Sequence, residues 1–73
     1  MYTFDFIYAD GKHQIFEHIT SITVQTAMGK EVVQSEQIMS YNFIIGLGMC
    51  LKSEFQNITV SGQGLLAIKI TKE

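Results

Sequence analysis

Cys50, His13 and His18 carry the most reactive side chains in the sequence, and their spacing decides what they can do. A cysteine nucleophile needs a neighbouring base or cation to hold it as thiolate. No histidine stands beside Cys50 and only Lys52 shares its face of a strand, so the thiol reads as a small hydrophobe. His13 and His18 are five residues apart, which puts them on opposite faces of an unbroken strand. They do not chelate one metal as a pair. The acidic residues (Asp5, Asp10, Glu17, Glu31, Glu36, Glu54, Glu73) are spread along the chain. Asp10 belongs to a turn. Asp5 and Glu17 fall on strands expected to pair, where two carboxylates can do acid–base work, but on an outer sheet face they are solvated. Phe43-Ile44-Ile45-Gly46-Leu47-Gly48 opens like a dinucleotide-binding turn. The third glycine position is Leu51, and no βαβ pattern surrounds it. The sequence therefore predicts no catalytic residue, no cofactor and no metal, and a protein that is not an enzyme.

The elements that would position these residues are mostly strands. Tyr2, Phe4, Phe6 and Tyr8 alternate with Thr3, Asp5 and Ile7, a period-two pattern with the aromatic rings on one face. Asp10-Gly11 then signals a hairpin with both central residues at positive φ. The return strand spans roughly 13–26. Ile15 and Ile19 share a parity opposite to that of Ile22 and Val24, so a bulge or bend near Thr20-Ser21 is expected. Gly29 marks the next turn. Residues 31–38 fit a short strand, and one helical face is the alternative. Phe43, Ile45, Leu47, Met49 and Leu51 alternate over 43–51, which predicts a strand with Gly46 and Gly48 on its other face. Bared in this way, the sheet admits a close neighbour. Ile58 with Val60, and Leu66 with Ile68 and Ile70, give two more strands.

About six short, mostly antiparallel strands make a small barrel or sandwich, one mainly β domain over residues 1–73. The alternative is α+β with one helix between residues 31 and 54.

Composition bears on partners. Apolar residues are 47% of the chain and charged residues only 16%, against about 25% charged in an average domain. A domain of this size buries little core and is usually stapled by disulfides, metal or association. Cys50 is alone and there is no metal set, so association is the remaining staple, and a homo-oligomer with a protein partner is expected. There is no arginine, and the five lysines are scattered at net charge −2, which argues against nucleic acid and anionic membranes. The absence of a leader pattern or a long apolar run predicts a cytoplasmic protein with no membrane span.

Ser35-Glu36-Gln37-Ile38 and Ile58-Thr59-Val60-Ser61-Gly62-Gln63-Gly64-Leu65-Leu66 resemble segments of the tryptophan RNA-binding attenuation proteins, over less than half of the chain. The resemblance implies an all-β subunit and ring-like assembly. Its RNA-binding basic positions fall near Glu31, Thr59 and Ser61, none of them basic, so RNA binding does not carry over.

The expected function is a non-enzymatic protein-interaction or regulatory accessory module that self-associates. Its candidate contact residues are Tyr2, Phe4, Phe6, Tyr8, Gly46 and Gly48. The aromatic face, if exposed, would instead stack on single-stranded nucleic acid, and a glycine-lined subunit seam would take a small ligand.

Overall fold

The aromatic alternation of the first residues builds β1 (Tyr2–Tyr8), and it does so by burying Tyr2, Phe4 and Phe6. In the computed structural model, which describes residues 1–44 and 47–73, this strand is the centre of a three-stranded antiparallel sheet. It lies between β2 (His13–Ile19) and β7 (Leu65–Lys72). A second antiparallel sheet takes β3 (Ser21–Thr26), β4 (Gly29–Val33), β5 (Met49–Lys52) and β6 (Asn57–Val60) in the order β4-β3-β5-β6. A 3-10 helix spans Ser35–Ser40. The protein is mainly β, as expected, but the described residues form seven strands rather than six, in two open sheets and not a closed barrel.

The extra strand arises at the predicted corner. Thr20 separates β2 from β3, and the chain leaves one sheet for the other there. The Thr20 N–H donates to the Lys52 carbonyl at 2.8 Å, which stitches the corner to the end of β5. The bulge sits earlier than expected. Tyr2 pairs with Ile19 and Phe4 with Phe16, so β2 holds one residue too many at Glu17-His18. His18 takes φ +62°, a left-handed conformation costly for any residue but glycine. The bulge reverses parity. Ile15 faces out beside Asp5 and is 59% exposed, while Ile19, of the same sequence parity, is fully buried.

The β1–β2 turn also departs from expectation. Only Gly11 takes positive φ, +85°. The Tyr8 N–H donates to the Lys12 carbonyl and the Gly11 N–H to the Tyr8 carbonyl, each at 2.9 Å. This is a longer hairpin loop that needs one left-handed residue. Asp10 accepts the Lys12 N–H at 2.9 Å and holds the loop.

Two segments differ from the sequence expectation. Residues 31–38 are neither all strand nor α-helix: β4 ends at Val33 and the 3-10 helix follows, burying Ile38. The strand expected over 43–51 begins only at Met49, and Ile45 and Gly46 lie outside the described residues. Tyr41 and Phe43 instead cap the core in irregular chain. Their rings meet edge-on with centroids 4.9 Å apart, and Phe43 meets Phe4 at 6.1 Å.

One apolar cluster joins both sheets. Phe4, Phe6, Ile19, Ile22, Ile38 and Leu51 are completely buried within it.

Candidate interaction surface

The contact residues expected from the sequence divide by burial. Tyr2, Phe4 and Phe6 are core side chains and offer no surface to a partner. Tyr8, half-buried, is the member of the stripe that reaches solvent, and its hydroxyl lies 3.0 Å from the Gln14 amide oxygen. Gly48 stands at the entry to β5. A Cβ added there would meet the Val60 carbonyl oxygen at 3.4 Å, close to an ordinary contact, so the neighbour at this position is the chain's own backbone. Gly46 lies outside the described residues.

Both histidines sit beside carboxylates. The β1–β2 pairing brings His13 diagonally next to Asp5, with Nδ1 2.9 and 3.0 Å from its two oxygens. The expected Asp5–Glu17 proximity is not the contact that forms. His18, turned outward by the bulge, meets Glu73. The Glu73 carboxylate accepts the His18 backbone N–H at 2.7 Å and lies 2.6 Å from Nδ1, and it accepts the Thr3 hydroxyl at 3.1 Å. Those donors, the backbone N–H first, hold the Glu73 carboxyl below its ordinary range. Cys50 donates to the Asn57 amide oxygen across the β5–β6 pair at 2.7 Å. Among the described residues, no group of three or more His, Cys, Asp or Glu is placed to hold a metal, and no helix is long and apolar enough to cross a membrane.

An open cleft of about 620 Å³ lies between the β1–β2 turn and the end of β6. Tyr8, Lys12, His13, Gln14 and Ser61 bring a phenol, an ammonium, an imidazole, an amide and a hydroxyl to its walls. No nucleophile–base pair is formed among them: the His13 nitrogen that makes a bond is committed to Asp5, and Lys12 lies 4.0 Å from Asp10.

The surface feature that sequence reasoning missed is a sheet edge. The two sheets end in four edge strands, β2, β7, β4 and β6. β6 has four residues, β4 five, and β2 is broken by its bulge. β7 has eight residues and pairs, among the described residues, with β1 alone. A bulge at Leu66 leaves the run 67–72 regular. At its far end the Glu73 N–H donates to the Met1 carbonyl at 3.0 Å. Main-chain groups alternate in direction along an antiparallel strand. Those of Lys69 and Thr71 therefore face β1, and those of Ile68, Ile70 and Lys72 face away from the sheet. Ile68 pairs with Phe6 and Ile70 with Phe4, so both side chains lie on the core face, yet both are only half-buried. The core is thus open along the same line where N–H and C=O groups lack partners.

No protein-family model, no curated protein and no solved structure matches this chain.

Proposed function

We propose that the protein is a non-enzymatic interaction module, a regulatory accessory that acts by binding another protein chain. The open edge of β7, with Ile68 and Ile70 half-covered beneath it, carries this reading. An unpaired, regular edge without proline is a template for a further strand. A strand laid there satisfies the outward main-chain groups and completes the cover of the two isoleucines. Self-association belongs to the same reading. Met28, Ile44, Phe55 and Leu66 are among the large apolar side chains left exposed, on a chain with few charges.

Size-exclusion chromatography with light scattering tests it. The expected result is a mass above the 8.2 kDa of one chain, rising with concentration or with added partner. A single 8.2 kDa species that captures no chain at any concentration overturns it. The single-strand nucleic-acid reading loses its stacking surface, because Tyr2, Phe4 and Phe6 are buried.

A further inference from the structure

We infer that the β7 edge takes an extended acidic segment of a partner protein, added antiparallel, with the pattern acid–any–apolar–acid–apolar. This rests on the interaction reading above and names the partner's chemistry. Lys69 and Lys72 are the charged residues of β7, and neither forms an ion pair among the described residues. Lys69 stands opposite Asp5, but that carboxylate is bound by His13 on its far side. The two lysines lie on opposite faces of the strand, three residues apart. An antiparallel partner read in its own direction passes Lys72, Thr71, Ile70, Lys69 and Ile68 in turn. Acids opposite the lysines and apolar residues opposite the isoleucines give the stated pattern.

A second copy of β7 fits poorly. Every antiparallel self-pairing that overlaps Ile68 and Ile70 sets Lys69 directly opposite or diagonal to its own counterpart, and facing like charges destabilise a strand pair. Lysines on an edge are a common device against self-pairing. Here they select against a second β7 edge and for the opposite charge, while the exposed apolar side chains elsewhere remain free to associate.

The test is a fluorescein-labelled peptide with the core Glu-Thr-Val-Glu-Val, titrated against the full chain and followed by anisotropy. Binding is expected, weakening as salt rises. The same peptide with lysine for glutamate binds less well, and N-methylation at alternate residues abolishes binding. Lys69→Glu and Lys72→Glu each weaken the glutamate peptide roughly two- to fivefold, the worth of one cross-strand charge pair, and favour the lysine peptide. Amide exchange at Ile68 and Ile70 slows when the peptide binds. Equal binding of the two peptides, indifference to N-methylation, or protection on another strand overturns the inference. If no peptide binds while light scattering still shows association, the acidic-strand inference falls and the interaction reading stands. If neither is seen, both fall.

Discussion

Glu73 follows β7 directly, and its carboxylate reaches along the outer face of the first sheet to tie that end of the chain to the bulge of β2. The His18 N–H it accepts is one that the bulge removes from the regular ladder. Because its folded pKa lies below the ordinary 4.5, this contribution is complete above that value and is lost as pH falls through the folded pKa. We expect the urea midpoint to drop on acidification from about 4.5 downward, and Glu73→Gln to flatten that dependence. Circular dichroism at several pH values checks both. Tyr41 behaves in the opposite sense. Its hydroxyl donates to Glu31 at 3.0 Å, and that bond, with burial and the charge of Glu31, raises the phenol above its ordinary 10.0. The bond is intact below that value and is lost as pH rises through the folded pKa. Absorbance titration should show less late-ionising tyrosine signal in Tyr41→Phe than in the parent chain.

At the scale of elements, the bulge and the first turn rest on two left-handed residues. Nothing lies within 4 Å of a side chain added at Gly11, so Gly11→Ala tests backbone strain alone. It should cost about 1–2 kcal/mol by chemical denaturation. At His18 the comparison runs the other way: His18→Gly should be more stable than His18→Ala by about 1 kcal/mol, since both lose the ring and only glycine relaxes the backbone. Phe6, fully buried, stacked on Phe4 and edge-on to Phe16, is the reverse case. Phe6→Ala should cost about 3–5 kcal/mol, most or all of the stability of a chain this short.

Much of this architecture is legible in residue order. The alternation of Tyr2, Phe4 and Phe6 gives β1 and its core face, and the parity conflict between Ile15 and Ile22 gives the corner. The conflict does not say where the extra residue sits. Ile19 is buried because the bulge precedes it, and a bulge at a histidine has no composition signal. The alternation over 43–51 misleads for a different reason. Tyr41 and Phe43 are apolar because they lid the core beside Phe4, not because they pair in a sheet.

At the scale of the whole molecule, the open edge was not legible, although its residues were. Ile68, Ile70, Lys69 and Lys72 read as an ordinary amphipathic strand. Which strand ends a sheet depends on pairings between distant segments, and local pattern does not encode them. The two sheets differ sharply in this respect. β3 to β6 pair within one stretch of chain, whereas β1 meets β7 from across everything between them. As the polypeptide emerges from a ribosome, the four-stranded layer can assemble early, while Phe4 and Phe6 wait with one flank bare. Of the strands described, the one that lends its border to a visitor follows all the others in chain order, so until it docks the seat beside β1 is open to another extended segment.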